Sequence, residues 1–127
     1  MSIRRIIAPE AAPPSGAYSH AVVHGSTVYA SGALPLDPVT GERVAGGIAE
    51  ETRQTIRNLD AVLRAAGSSL EHVLRATVYL VERDDWAAMN EVFGEFFGAA
   101  PPARTAIEVG PLAYGALVEI DVVAALE

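Results

Sequence analysis

The chain contains no cysteine and no lysine, and these two absences exclude several kinds of chemistry. All nine basic residues are arginines, so no amine is available to form an imine with pyridoxal phosphate or with a carbonyl substrate. Without cysteine there is no thiolate nucleophile, thiolate zinc site, iron–sulfur cluster or disulfide. The groups left for proton transfer are the acids, three histidines and four tyrosines.

Positive charge and long apolar runs are also scarce. Nine arginines against sixteen acidic residues give a net charge of -7, and the arginines form no basic stripe, so we expect no nucleic-acid partner. No apolar run approaches the roughly 18 residues that span a membrane. Only Ile6 and Ile7 follow Arg4 and Arg5, which is too short for an export signal. We expect a cytoplasmic protein whose partners are small molecules or further copies of itself.

The 127 residues, half of them hydrophobic, are sufficient for one core. A chain of this length buries roughly two-thirds of its unfolded surface when it folds. No repeat, linker or change of composition divides it. We therefore expect a single domain over residues 1–127.

The first part of the chain predicts three strands. Ser2–Ala8 is typical of an edge strand that ends at prolines. Tyr18–Val23 and Thr27–Ser31 are β-prone runs on either side of the turn His24–Ser26, as in a hairpin. The residues from Gly32 to Gly47 are rich in turn formers and predict a surface loop.

A helix is predicted over Ile48–Ala66, with Gly67 as its left-handed cap. Charged residues, Glu51 among them, are predicted on the sides of this helix that face away from the core. The apolar stripe consists of Ile48, Ile56, Leu59, Val62, Leu63 and Ala66.

A long strand, a candidate for a central position in the sheet, is predicted over Ser69–Glu82 because this segment is rich in β-formers. A second helix follows, capped by Asp84 or Asp85 and closed by Gly98. Its predicted apolar seam contains Trp86, Met89, Phe93 and Phe96.

Two further strands are predicted over Arg104–Val109 and Val118–Ala124. The resulting order is β-β-β-α-β-α-β-β. This order indicates an α+β domain in which two helices pack on one face of one sheet.

Several familiar kinds of site lack support. His20, His24 and His72 have no metal-ligand spacing, so we expect no metal. No G-x-S-x-G nucleophile motif occurs. Gly46 and Gly47 lack a phosphate-loop pattern and indicate a lead into the helix rather than a nucleotide site.

Arg104 and Glu119 are the candidates that remain, because each carries a charge at or in an apolar strand. One interpretation is structural: the two residues pair with other charges, or Glu119 faces solvent. The functional interpretation is an arginine fork that binds a substrate carboxylate, with Glu119 as the acceptor of a water proton. The pattern alone leaves both open.

Aromatic residues give weaker signals. Tyr18 follows a proline-rich loop and could present its hydroxyl to a cleft, although a tyrosine at a strand start is usually half-buried packing. Trp86, Phe93 and Phe96 are assigned to the core rather than to an aromatic box.

Taken together, five segments in order resemble the reactive intermediate deaminase (RidA, formerly YjgF) family, and the likeness covers nearly the whole chain. The segments are Gly16–Val22, Ser31–Glu42, Asn58–Gly67, Pro102–Thr105 and Val118–Ile120. This resemblance implies a chorismate-mutase-like α+β fold and a homotrimer with clefts at the subunit interfaces. It also implies hydrolysis of 2-imino acids to 2-keto acids and ammonia without a metal or organic cofactor.

The resemblance assigns a role to individual residues. Arg104 is expected to bind the substrate carboxylate, and Glu119 to orient or deprotonate the attacking water. Tyr18, Ser31 and the backbone N–H of Gly32 are expected to line the cleft.

Four positions depart from the family pattern. Ala106 stands where many members place a cleft cysteine, Ala17 replaces a proline, His20 replaces a common glutamine, and Ala33 also differs. These changes leave the arginine and the glutamate intact and bear on the pocket for the substrate side chain.

Two alternatives accompany the simple imine deaminase. The first is a deaminase of a larger unsaturated amino acid, such as an aminomuconate, for which the small residues Ala17, Ala33 and Ala106 leave room. The second is a non-catalytic trimer that binds a carboxylate metabolite or a partner protein and needs Arg104 but not Glu119.

Overall fold

The computed structural model describes all 127 residues. The chain forms one mixed six-stranded sheet with two helices packed on one of its faces. The order β-β-β-α-β-α-β-β and the α+β class predicted from the sequence are confirmed. Neither helix is both long and apolar enough to cross a bilayer. In chain order the elements are β1 (Ile3–Ile6), β2 (Ala21–His24), β3 (Thr27–Ala30), α1 (Ile48–Ala66), β4 (Val73–Leu80), α2 (Trp86–Phe97), β5 (Ala103–Glu108) and β6 (Val118–Ala125).

The strands lie side by side in the order β1-β2-β3-β6-β4-β5. Strands β4 and β5 are parallel, and every other neighbouring pair is antiparallel. β1 is an edge strand, as predicted, and β5 forms the other edge. β4 lies inside the sheet but is shorter than predicted, because Ser69 closes a local turn in which its hydroxyl is 2.7 Å from Nδ1 of His72.

Side chains alternate between the two faces of the sheet. We call the face under the helices the covered face and the other the open face. On β6, the covered-face residues are all buried, whereas Glu119 and Asp121 lie on the open face. The core between sheet and helices includes Ile56, Leu59, Leu63, Met89, Phe93, Val118, Ile120 and Val122.

Helix α1 has the bounds predicted from the sequence, and Gly67 ends it in a left-handed conformation with φ 91°. The prediction that Glu51 faces away from the core is wrong, because its side chain is only 2% exposed. Its Oε1 accepts the Leu117 N–H at 2.8 Å, and its Oε2 lies 3.6 Å from Nε of Arg43. These two partners satisfy a carboxylate that could not otherwise be buried.

Helix α2 begins at Trp86, directly after a 3₁₀ turn over Arg83–Asp85. Asp85 occupies the N-cap position, as predicted, but its side chain makes no hydrogen bond to the helix. The backbone of Asp85 is already helical, with φ -82° and ψ -4°. A residue whose side chain caps a helix normally has a non-helical backbone.

Candidate functional site

Arg104 and Glu119 lie on opposite faces of the sheet. Arg104 is directly opposite Ala76 of β4, and Glu119 is directly opposite Tyr79 of the same strand. Paired residues on neighbouring strands point to the same face, and Ala76 is buried under the helices. Arg104 therefore belongs to the covered face and Glu119 to the open face, so the two do not form a pair within one chain.

Glu119 lies in a cleft with three of the residues predicted to line it, namely Tyr18, Ser31 and Gly32. The Tyr18 side chain is 42% exposed, and its hydroxyl accepts the Ser15 N–H at 3.2 Å. The Ser31 hydroxyl donates to the carbonyl oxygen of Ser19 at 2.7 Å, which fixes its position. The cleft is completed by Ser15, Leu34 and Ala113.

Gly32 lies directly against the carboxylate of Glu119. A β-carbon at position 32 would collide with Oε2 of Glu119, so only glycine fits with this side-chain position. The N–H groups of Ser31 and Ala33 on either side are bonded to backbone carbonyls, whereas the Gly32 N–H has no acceptor within the chain. The cleft thus contains a free backbone donor beside a carboxylate.

Ala33 is not among the residues that line the Glu119 cleft, but it lines an adjoining cavity with Tyr18, Ser31 and Gly32, and its role in making room for a larger substrate stays a prediction. It forms a two-way backbone bridge with Ile120 and packs against the core. Its side chain is therefore directed away from Glu119, which is the neighbour of Ile120 on the other face.

Burial raises the pKa of the Glu119 carboxyl, and the nearby charge of Asp121 raises it further. Asp121 lies two residues along β6, on the same face. It accepts a hydrogen bond from the Tyr79 hydroxyl at 2.8 Å. This bond is the main reason that the pKa of Tyr79 is also raised.

Arg104 is held by aromatic rings rather than by acids. Its guanidinium carbon lies 4.7 Å from the ring centroid of Phe93 and 5.6 Å from that of Trp86, which is within the range of cation–π attraction. It has no salt bridge or hydrogen-bond acceptor in the chain, so its donors are free for a ligand. The adjoining cleft is formed by Asn90, Gly94, Phe97, Gly98, Pro101 and Pro102.

Trp86 is not part of the core, and that prediction is wrong. Its side chain is 43% exposed, whereas Met89 and Phe93 are buried as predicted and Phe96 packs at the margin of the core. Trp86 is the first residue of α2 and lies outside the core, where its ring contacts the guanidinium of Arg104 on the edge strand β5.

Ala106 lies on the same face of β5 as Arg104, two residues further along. Together with Leu80, Trp86 and Ile107 it lines a second apolar cleft beside the guanidinium. An exposed ion pair between Arg83 and Glu108, at 3.9 Å, lies at its margin.

The loop that carries Tyr18 is fastened by His20. Its Nδ1 accepts the Ala8 N–H at 2.9 Å, and its Nε2 is 2.7 Å from the carbonyl oxygen of Ala12. The ring is therefore in the tautomer with the proton on Nε2. This departure from the family pattern has a structural role, because it positions the proline-rich segment that leads to the cleft.

Asn58 fastens the loop that follows Gly32. Its amide group donates to the carbonyl oxygens of Leu34 and Leu36 at 3.0 and 2.9 Å. Because Asn58 lies on a buried position of α1, the loop is held against the core beside the Glu119 cleft.

The predicted site residues thus form two groups. Tyr18, Ser31, Gly32 and Glu119 come together at the open face, whereas Arg104 and Ala106 lie at the covered face. No cluster of three histidine or acidic side chains could hold a metal ion.

Two residues near Glu119 escaped the sequence analysis, Tyr79 and Asp121. The alternation of β6 puts Asp121 on the same face as Glu119, and that signal was available in the sequence. The contact with Tyr79 depends on the register between β4 and β6.

Comparison with known proteins agrees with this architecture. A family model described as Endoribonuclease L-PSP matches residues 9–126. A RutC family protein of Pyrococcus horikoshii is 46% identical over 96% of this chain and 98% of its own length. A protein of Capra hircus named 2-iminobutanoate/2-iminopropanoate deaminase is 42% identical, over 96% of this chain and 90% of its own.

The fold is shared with solved structures of the same group. The crystal structure of E. coli TdcF with bound serine superimposes with a TM-score of 0.92 at 31% identity, covering 98% of this chain and 99% of that one. The family match extends over nearly all of the sequence. The chain therefore belongs to the Endoribonuclease L-PSP family, which is the reactive intermediate deaminase family that its motifs resemble.

Proposed function

We propose that this protein hydrolyses small 2-imino acids, or the enamines in equilibrium with them, to 2-keto acids and ammonia. The observation that carries the proposal is a pair of complementary groups: an arginine without any partner, Arg104, and a half-buried carboxyl with a raised pKa, Glu119. The relatives named 2-iminobutanoate/2-iminopropanoate deaminase support this substrate class. The serine bound to E. coli TdcF supports a carboxylate ligand.

The cleft is composite in this proposal: one copy of the chain supplies Arg104 and Ala106, and another supplies Glu119, Tyr18, Ser31 and Gly32. Their positions on opposite faces support this arrangement. A two-fold dimer needs one self-complementary patch that contains both groups, whereas contacts between two different surfaces close into rings. A ring of three copies, a homotrimer, is the smallest that fits.

The open face also supports assembly. Tyr29 is 51% exposed and Ile107 is 44% exposed, although both lie in the sheet. Exposed apolar surface of this kind marks an interaction site. In the proposed ring, the open face of one copy lies against the β5 edge of the next.

The reaction needs orientation and one proton acceptor. Arg104 binds the substrate carboxylate through parallel hydrogen bonds, and the free Gly32 N–H donates to the same bound molecule. The water oxygen bonds to the iminium carbon, the π electron pair of the C=N bond moves to nitrogen, and the water proton passes to Glu119.

The second half of the reaction returns that proton. Glu119 protonates the amine of the carbinolamine, and the C–N bond breaks with its electron pair leaving on ammonia. The hydroxyl oxygen forms the new C=O bond and releases its proton, which the ammonia takes up as ammonium. The chain's own residues and one water are sufficient, so the absence of lysine and cysteine removes nothing that the reaction needs.

The test is release of keto acid from an imine generated in situ, measured against the spontaneous rate. We expect the wild type to accelerate it, and Glu119→Gln and Arg104→Ala to lose about 100-fold or more in kcat/KM. Arg57→Ala and Glu71→Gln, which change exposed residues, are the matched controls and are expected to retain activity. A wild-type protein that leaves the spontaneous rate unchanged would contradict the proposal.

A larger unsaturated substrate is the second candidate, and the cleft beside Ala106 favours it. That cleft is lined by Leu80, Trp86 and Ile107, next to the group that binds the carboxylate. A panel of imines with longer apolar side chains distinguishes the two candidates by the order of their kcat/KM values.

A non-catalytic metabolite binder is the third candidate. Carboxylate affinity and turnover, measured for the wild type and for Glu119→Gln, distinguish it from an enzyme. If the protein only binds, this variant retains carboxylate affinity and there is no turnover to lose. If it is an enzyme, affinity is retained and turnover is lost.

A further inference from the structure

Two carboxylates lie next to each other on the open face, but their hydrogen bonds are unequal. Glu119 and Asp121 alternate with buried residues along β6 and point the same way. Asp121 accepts the Tyr79 hydroxyl at 2.8 Å. Glu119 has no hydrogen-bond donor or ion-pair partner within the chain, although it is half-buried.

This difference in hydrogen bonding gives the two carboxylates different roles. The hydrogen bond from Tyr79 fixes the position of the Asp121 carboxylate. A buried carboxyl without a donor, beside a fixed negative charge, holds a proton more strongly. Pairs of acids whose surroundings differ in this way commonly divide into one that stays ionised and one that carries the proton.

We propose that Tyr79 and Asp121 are positioning residues for Glu119: the Tyr79 hydroxyl fixes the Asp121 carboxylate on the same face as Glu119, and this neighbouring negative charge favours transfer of the water proton to Glu119. The inference rests on the proposed function, in which Glu119 takes a proton from water. It adds that the basicity of Glu119 is set by residues that do not touch the substrate.

The neighbours of Glu119 leave Asp121 as the one charged group close to it in the chain. From β4 it faces Tyr79, and from the loop before β2 it faces Tyr18. The segments after β3 and before β6 contribute Ser31, Gly32, Leu34 and Ala113, none of which titrates. Arg75 is the basic residue of β4 on this face. It lies opposite Val123, which is further along β6 from Glu119 than Asp121 is. The proposed assembly adds Arg104 of a second copy.

Asp121→Asn tests the inference, because it removes the charge and keeps the size and an acceptor for Tyr79. We expect the acid limb of the kcat/KM profile to move to lower pH, since the Glu119 carboxyl then ionises more easily. The carboxyl ¹³C shift of Glu119, followed through a pH titration, is expected to move in the same direction without any use of activity. Asp84→Asn, the same change on an exposed turn without partners, is the matched control.

Tyr79→Phe keeps the ring and removes only the donor. We expect a shift of the acid limb in the same direction as for Asp121→Asn, but smaller. In the double variant we expect no further shift beyond that of Asp121→Asn, because Tyr79 acts through Asp121. A merely structural role of Tyr79 would instead lower stability without this dependence, and urea unfolding of each variant records that contribution.

The outcomes separate this inference from the proposed function. If Asp121→Asn leaves both the acid limb and the Glu119 titration unchanged, the inference is overturned, even where Glu119→Gln is inactive. If Glu119→Gln retains turnover, Glu119 is not the proton acceptor and the proposed function fails first. A moved titration together with an unmoved acid limb supports the inference about Glu119 and contradicts the proposed function, because Glu119 would then not control the rate.

Discussion

The covered and open faces of the sheet are made from alternate residues of the same strands, but they carry different chemistry. On β6, Ile120 is fully buried under the helices, whereas its neighbours Glu119 and Asp121 lie on the open face. On β4, Ala76 faces the helices and Tyr79 faces away. Stability is thus concentrated on one face, and the other is free to hold ionisable groups at a raised pKa.

Arg104 is the instructive exception. It lies on the covered face, but on the edge strand, where Phe93 and Trp86 offer ring faces instead of a closed core. A cation at this position keeps its hydrogen-bond donors free. Each face therefore contributes one half of the proposed site, and the two halves would meet in the proposed assembly of copies.

The largest expected effect is restoration of activity by mixing two inactive variants. Arg104→Ala and Glu119→Gln are each expected to be nearly inactive. When equal amounts are unfolded and refolded together, about a quarter of the interfaces combine an intact arginine from one copy with an intact glutamate from the next. We expect about a quarter of the wild-type rate, measured as keto acid release.

The same variants mixed without unfolding are the control for this experiment and should stay inactive if copies do not exchange. Activity no higher than the sum of the separate variants after refolding would place both residues in one chain or exclude one of them from the reaction.

The two faces can be compared directly with one substitution. Ile120→Ala removes a fully buried side chain and is expected to lower the free energy of unfolding by about 3 kcal/mol. Ile107→Ala removes a side chain that is 44% exposed in the isolated chain, and at a protein concentration low enough to separate the copies we expect a loss below about 1 kcal/mol. Urea unfolding at one protein concentration measures both, and equal losses would show that the open face is as well covered as the other.

Gly32→Ala tests the close contact on the open face. The added β-carbon would displace the Glu119 carboxylate, and misplacement of a reacting group by about 1 Å can cost up to about 100-fold. We expect kcat/KM to fall about 10- to 100-fold with little change in unfolding free energy. Gly110→Ala, where a β-carbon meets open space, is the control and should retain activity.

The smallest effect is expected from removing the Trp86 ring that contacts the guanidinium of Arg104. Trp86→Ala removes a cation–π contact of about 0.5–1 kcal/mol, which corresponds to a rise in KM of about two- to fivefold. Trp86→Phe keeps a ring and should show a smaller rise. A fall in kcat with unchanged KM would indicate that Trp86 acts on the reaction step and not on carboxylate binding.

The sequence predicted those elements whose signal is local. Helix α1 has its expected bounds because the apolar stripe and the glycine cap are both contained in the segment itself. The turn at Leu70–His72 was assigned to a strand, because β-prone side chains do not reveal a hydrogen bond between Ser69 and His72.

The candidate site was predicted residue by residue, but its geometry was not. The faces of Arg104 and Glu119 depend on the register of three strands and on an irregularity between Val73 and Arg75. The burial of Glu51 depends on Arg43, which comes from a loop without periodicity. Such long-range pairings leave no pattern in the residues around them.

The position of Trp86 has a practical consequence. It is the only tryptophan in the chain and it lies against the guanidinium of Arg104, so its fluorescence reports on the charge above it. A carboxylate that binds Arg104 neutralises that charge and should alter the emission without any label. Ligand affinity can therefore be measured optically in variants such as Glu119→Gln, for which we expect no product.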